Sequence, residues 1–151
     1  GTARTVLRGN ARALAVDLAG GRLLAALPGS DGTEEVHLLD LGTGGTILRF
    51  GASAGGPGAL PSGQFAPHGP AVLARLWSAD LSARLLVSWD GWPPATTVSE
   101  GSLDAFFTPN GRGLVFSRDL AHAGGIFIAQ AGADEPARVG DGQVLGWRLA
   151  R

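Results

Sequence analysis

The stretch FTPNGRGLVFSRD, residues 107–119, decides the fold prediction. It consists of an aromatic residue, a Pro-Asn-Gly turn, an apolar run and a polar exit. Proline has no N–H to donate to a strand ladder, so Pro109 belongs in a turn. Glycine adopts positive φ without steric cost, so Gly111 is predicted to close a hairpin between Phe107 and Leu114.

The same pattern recurs along the chain. FAPHG at 65–69 matches FTPNG at 107–111, which places Phe65 and Phe107 42 residues apart. Each copy continues into an apolar run, a Ser-x-Asp-Leu segment and a second apolar run. The Ser-x-Asp-Leu segments are SADL at 78–81 and SRDL at 117–120. A weaker copy occupies 13–50, so the chain is predicted to contain a structural repeat.

The apolar runs are short, rich in Val, Leu, Ile and Phe, and bounded by Gly, Pro, Asn and Asp, as is typical of strands. Four such strands per repeat predict an all-β fold, a partial β-propeller of about three four-stranded antiparallel blades. A β-sandwich of about twelve strands is the alternative. The predicted single domain or fragment, 1–151, has blades at about 11–50, 64–99 and 103–139, a Gly/Pro loop at 51–63 and a single strand at each end.

The repeat resembles that of TolB-like or WD40-like propellers, whose blades often carry an F-S-P-D-G-R turn before the second strand. FTPNGR at 107–112 matches closely, with Asn110 where aspartate is usual. FAPHGP at 65–70 departs at His68, and VDLAGGR at 16–22 is degenerate. The resemblance covers about 130 residues. It implies a fold and, by family habit, an extracytoplasmic (periplasmic or secreted) location, but a turn motif implies little about function.

Composition excludes several classes of site. The 151 residues carry a net charge of -1, which argues against a nucleic-acid partner. The absence of Cys excludes thiolate zinc sites and Cys nucleophiles, and the absence of Lys excludes a phosphate-binding loop with its lysine. No apolar run approaches the roughly 20 residues that span a bilayer. We expect no cofactor and no membrane span in this chain.

Candidate catalytic and metal-binding residues are isolated. GASAG at 51–55 fits G-x-S-x-G, but the following GPGALPSG cannot begin a helix, so Ser53 is predicted to lie in a flexible loop. His37, His68 and His122 lack the spacing of metal ligands. We therefore predict no catalytic residue, no metal site and no enzymatic activity.

Three aspartates, Asp31, Asp80 and Asp119, each follow the second strand of a repeat. They would form a ring of cation-binding carboxylates if they faced a common space. The favoured interpretation is that each caps its own loop by accepting hydrogen bonds from nearby main-chain N–H groups.

Tryptophan supplies the candidate partner-binding residues, Trp89, Trp92 and Trp147. In WDGWPP at 89–94, Trp92 precedes two prolines and so cannot be helical, which is compatible with an exposed interface anchor. Packing between blades is nevertheless the favoured role for tryptophans in such a repeat, and stacking on a sugar ring is a third role.

The two chain ends predict a partner. TARTVLRG at 2–9 and VLGWRLAR at 144–151 look like strands without a complete blade, and open strand edges are normally covered. We expect a protein partner, or the remainder of a longer chain, to cover them. The predicted function is a non-enzymatic protein-interaction or assembly scaffold. The alternatives are the propeller portion of a prolyl-oligopeptidase-like peptidase, and a carbohydrate-binding module.

Overall fold

The computed structural model describes residues 9–54 and 58–144. In this part the chain is all-β, with three four-stranded antiparallel sheets whose strands follow one another in chain order. The only helical elements described are two 3-10 turns, Ser30–Gly32 and Leu120–His122. The predicted fold class, all-β with three four-stranded antiparallel units, is confirmed, and the arrangement is consistent with a partial propeller or a sandwich.

Each sheet contains four consecutive strands. Sheet 1 contains β1 (Arg12–Asp17), β2 (Arg22–Pro28), β3 (Glu34–Asp40) and β4 (Thr46–Ser53). Sheet 2 contains β5 (Ser62–Phe65), β6 (Val72–Trp77), β7 (Ala83–Ser88) and β8 (Thr96–Glu100). Sheet 3 contains β9 (Ser102–Phe107), β10 (Gly113–Arg118), β11 (Gly125–Gln130) and β12 (Ala137–Gly140).

The hairpin predicted from the opening stretch is present. Phe107 at the end of β9 lies opposite Leu114 in β10. Gly111 has a φ of 71°, and the Thr108 N–H donates to the Gly113 carbonyl at 2.8 Å. Asn110 accepts a hydrogen bond from the Arg112 N–H through Oδ1 at 3.0 Å, which fixes the turn.

Sheet 2 is the centre of the apolar core, because both of its faces are buried. Along β6 the side chains alternate, as they must in a strand. Val72, Ala74 and Leu76 pack with residues of sheet 1, whereas Leu73 packs with residues of sheet 3, together with Leu85. Burial of each leucine contributes about 1.5–3 kcal/mol. The three sheets therefore form a stack in which sheet 2 joins the other two.

The Gly/Pro loop predicted at 51–63 is wrong at both ends. Strand β4 continues to Ser53, and β5 begins at Ser62. Ser53 is fully buried, and its Oγ accepts a hydrogen bond from the Trp77 N–H at 2.9 Å. Pro61 is also fully buried. The Gly-rich composition indicates a turn, but pairing with β3 and the contact with Trp77 hold these ends in the fold.

The predicted end strands fall outside this description. Of the predicted end strands, residues 2–8 and 145–151 lie outside the described residues, and Trp147 is among them. In the described ranges, no helix has the length and apolar character needed to cross a membrane.

Antiparallel chain order places the connections at two edges of the stack. The turn edge contains the connections from the first to the second strand and from the third to the fourth strand of each sheet: 18–21, 41–45, 66–71, 89–95, 108–112 and 131–136. The loop edge contains the described residues of the connections at the opposite ends of the strands: 29–33, 54, 58–61, 78–82, 101 and 119–124.

Candidate functional site

The turn that carries Trp92 lies on the turn edge and presents the indole to solvent. Trp92 is 61% exposed. Its main chain is held on both sides, since the Trp92 N–H donates to Asp90 Oδ1 at 2.9 Å and Ser88 Oγ donates to the Trp92 carbonyl at 2.7 Å. The hydrogen bond from Trp92 also lowers the pKa of Asp90. The main chain of this turn is therefore held in place while the indole faces solvent.

Trp89 is placed differently from Trp92. It packs against the core between sheets 2 and 3, with its ring edge-to-face with Phe107 at a centroid distance of 6.3 Å and an interplanar angle of 76°. Trp89 also lines a cleft on the turn edge. The predicted tryptophans therefore differ in position. Trp92 faces solvent, Trp89 packs against the core and lines the cleft, and Trp147 lies outside the described residues.

The cleft lies between the two repeated turns, at 66–70 and 108–113, and has a volume of about 660 Å³. These turns are in direct contact. A Cβ added to Gly111 would lie 1.9 Å from the His68 carbonyl oxygen, far inside van der Waals contact. The glycine of FTPNGR is thus needed for close approach as well as for its positive φ.

Two of the three candidate aspartates cap their own loops. Asp80 Oδ1 accepts hydrogen bonds from Ser82, from Oγ at 2.8 Å and from the main-chain N–H at 3.1 Å, and these bonds lower the pKa of Asp80. Asp119 Oδ1 accepts from the His122 N–H at 3.0 Å and lies 2.7 Å from His122 Nδ1, which lowers the pKa of Asp119. The cap prediction is confirmed for Asp80 and Asp119.

Asp31 does not follow this pattern. It is exposed in the 3-10 turn with a φ of 56°, and its side chain makes no hydrogen bond within the described residues. Thr33 closes the turn instead, through Oγ1 to the Ser30 carbonyl at 2.7 Å. The prediction of a cap at Asp31 is therefore wrong, because the turn is closed by the Thr33 hydroxyl and main-chain N–H, which both donate to the Ser30 carbonyl.

The histidines and Ser53 lie apart from one another. His37 is in β3 with Nδ1 3.1 Å from Thr46 Oγ1, and burial lowers the pKa of His37. His68 is exposed in a turn, and His122 pairs with Asp119. Within the described ranges, no group of three His, Asp or Glu side chains could hold a metal ion. Ser53 is the last residue of β4 and is fully buried, with its Oγ accepting a hydrogen bond from the Trp77 N–H, so it does not have the exposed position of a serine in a nucleophile elbow.

The loop edge carries a feature that the sequence analysis did not identify. Four leucines on or beside it are exposed: Leu60, Leu81, Leu103 and Leu120. Leu81 is 67% and Leu120 is 95% exposed. We call this set the leucine edge. The signal was present in the repeated Ser-x-Asp-Leu segments, whose leucines follow the two capping aspartates.

Some of the segments that carry these leucines are in contact on the loop edge. Leu103 and Leu120 line the same depression. On the other side, Trp77 Nε1 donates to the Leu60 carbonyl at 3.0 Å.

No protein-family model matches this chain, and no curated protein is significantly similar to it. The resemblance to TolB-like propellers therefore stays a prediction that rests on the turns at 65–70 and 107–112.

Proposed function

We propose that this chain is a non-enzymatic interaction module of a larger assembly, and that the leucine edge binds a protein partner. The carrying observation is that four exposed leucines share one edge. Single exposed apolar residues are ordinary on protein surfaces, whereas a contiguous apolar patch marks a contact surface. Burial of one leucine side chain contributes about 1.5–3 kcal/mol, so each leucine buried at an interface would offset part of the free-energy cost of association.

The loops that carry these leucines are held in place before any partner binds. Leu81 has a φ of 64°, a conformation that costs free energy for a residue with a side chain. The Leu81 N–H donates to the Ser78 carbonyl at 3.0 Å, and Asp80 holds Ser82. Asp119 fixes the other loop in the same way. A surface fixed in advance loses little conformational entropy on binding, which favours affinity.

Trp92 supports the proposal from the opposite edge. Its exposed indole and fixed main chain offer a second contact for a partner that reaches around the stack or for another subunit. Trp89 packs against the core and is not itself a main contact. Trp92 therefore enters the proposal as a separate anchor, tested separately from the leucine edge.

The test is native mass spectrometry of the assembly that co-purifies with the chain from its source. We expect the double variant Leu81→Ser/Leu120→Ser to bind its partner at least a hundredfold more weakly, a loss of about 2.8 kcal/mol. Both side chains are exposed, so folding should be unaffected. Trp92→Ser measures the second anchor in the same assay.

Leu18→Ser is the matched control, because Leu18 is 82% exposed but lies on the turn edge. It should leave the assembly intact. Retention of the partner by the double variant at parental affinity, or equal loss in the Leu18 variant, would contradict the assignment of the leucine edge.

A further inference from the structure

The cleft on the turn edge has no carboxylate in its lining. Its polar side chains are those of His68, Thr108, Asn110, Arg112 and Gln130. Three other depressions of the surface each include acidic residues: Asp119 and Asp141, Asp104, and Asp134 and Glu135. Because the whole chain carries a net charge of -1, the absence of acid from this cleft is a local property.

The cleft lining contains one arginine, Arg112, and its guanidinium has no partner among the described residues. By contrast, Arg12, Arg22, Arg49 and Arg138 each form an ion pair with a carboxylate. A guanidinium presents five N–H donors in a planar fork that matches a carboxylate in two parallel hydrogen bonds. Arg112 is therefore available to an anion that enters the cleft.

Asn110 adds donors beside it. Its Oδ1 is occupied by the Arg112 N–H at 3.0 Å and by Thr108 Oγ1 at 2.7 Å, which turns the acceptor end into the turn. The amide N–H groups of Asn110 have no partner within the described residues. The His68 imidazole is likewise without a hydrogen bond there, and it lies on the facing turn.

The remaining wall of the cleft is apolar. Trp89 and Ile128 line it, so a carboxylate held by Arg112 would carry its attached group against an indole. The volume of about 660 Å³ falls within the range of small-ligand sites, roughly 300–1,000 Å³. Gly111 approaches the His68 carbonyl closely, so the two turns that form the walls lie against each other without a ligand.

We propose that this cleft binds a small carboxylate ligand, with Arg112 binding the carboxylate and Trp89 packing against the ring or side chain beside it. This site is separate from the leucine edge and does not depend on the proposed partner. Two sources offer the same chemistry: an amino-acid-type carboxylate and a sugar acid.

The experiment is an NMR titration of the whole chain, read from the main-chain N–H signals of Gly111 and Gly113. The probes are N-acetyl-leucine with its neutral amide, and glucuronate with glucose. We expect one or both acids to bind at the cleft, and each neutral counterpart to bind at least tenfold more weakly. Binding of glucuronate alone assigns a sugar acid, and binding of N-acetyl-leucine alone assigns an amino-acid-type ligand.

Arg112→Gln should weaken acid binding at least tenfold while all signals away from the cleft keep their positions. Arg138→Gln, at the far end of sheet 3, is the matched control and should bind as the parent does. The proposal is overturned if acids and neutral counterparts bind equally, if neither acid binds, or if Arg112→Gln binds with parental affinity.

Discussion

Gly111 and Gly69 occupy the same position in the two repeated turns, which makes them a matched pair. Both have positive φ, 71° at Gly111 and 89° at Gly69. Their surroundings differ. A Cβ at Gly69 would meet no atom within 4 Å, whereas a Cβ at Gly111 would lie 1.9 Å from the His68 carbonyl oxygen. Gly69→Ala therefore measures the cost of the backbone conformation alone, and Gly111→Ala measures that cost together with the steric conflict.

The magnitudes follow from these two terms. Alanine at positive φ costs about 1 kcal/mol relative to glycine. A methyl group forced against a main-chain carbonyl adds about 1–3 kcal/mol, because main chain cannot rotate away as a side chain can. We expect Gly69→Ala to cost about 1 kcal/mol and Gly111→Ala about 2–4 kcal/mol. For a chain of this size, that lowers Tm by roughly 2–4 °C and roughly 5–15 °C respectively.

The assay is thermal unfolding followed by circular dichroism, with urea unfolding as an independent measure of the free energy. Equal losses of unfolding free energy in the two variants would refute the close approach of the two turns. The steric conflict with the His68 carbonyl should make the loss larger in Gly111→Ala than in Gly69→Ala. Parental stability in Gly111→Ala would also refute the assignment of positive φ in the opening hairpin.

Two further outcomes follow from buried and charged groups. Ser53→Ala should lower the free energy of unfolding by about 1–3 kcal/mol, because the main-chain N–H of Trp77, which donates to Ser53 Oγ, loses its acceptor inside the fold. The control Ser117→Ala should leave that free energy unchanged or raise it, because the Ser117 hydroxyl is buried without a partner; equal losses in urea would contradict this. The Gly20 N–H and then Arg22 lower the pKa of Asp17, so its stabilisation is present above its unfolded pKa of about 3.9 and is lost as pH falls through the lower, folded pKa. Urea midpoints should therefore fall in acid, and by less in Asp17→Asn; an unchanged pH profile in that variant would contradict this.

Local backbone rules explain why the opening hairpin could be predicted from sequence. Pro109, Asn110 and Gly111 each act through their own conformation or through the next two residues. The pairing of Phe107 with Leu114 then follows from the turn. The strand count in each repeat was predictable for the same reason, since short apolar runs between turn residues leave little choice of element.

Ser53 shows where such rules stop. Its neighbours are glycines and alanines, and nothing local indicates a buried strand end. Its place is set by the main chain of Trp77, which lies 24 residues further along and contacts it only in the folded state. Composition therefore misassigned the ends of this connection.

The leucine edge was missed for a related reason. A leucine in a repeated motif is ordinarily interpreted as a core residue. In Ser-x-Asp-Leu the aspartate predicts a loop cap, but it does not indicate whether the leucine after it is buried. Exposure is decided by the loop conformation, positive φ at Leu81 and a 3-10 turn that begins at Leu120. The cleft at Arg112 was equally hidden, because it depends on two turns that are distant in sequence meeting in space.

The chain-order pairing of the strands has a consequence for how the molecule folds. Every strand pair in the three described sheets joins neighbours along the chain, so each ladder closes through a short connection with little loss of loop entropy. Folds built from such local pairings form faster than sandwiches that need distant strands to meet. We expect each sheet to assemble as a unit and then dock onto the next, as in repeat proteins. Sheet 2, apolar on both faces, gains from either neighbour, and is therefore where the growing stack should begin.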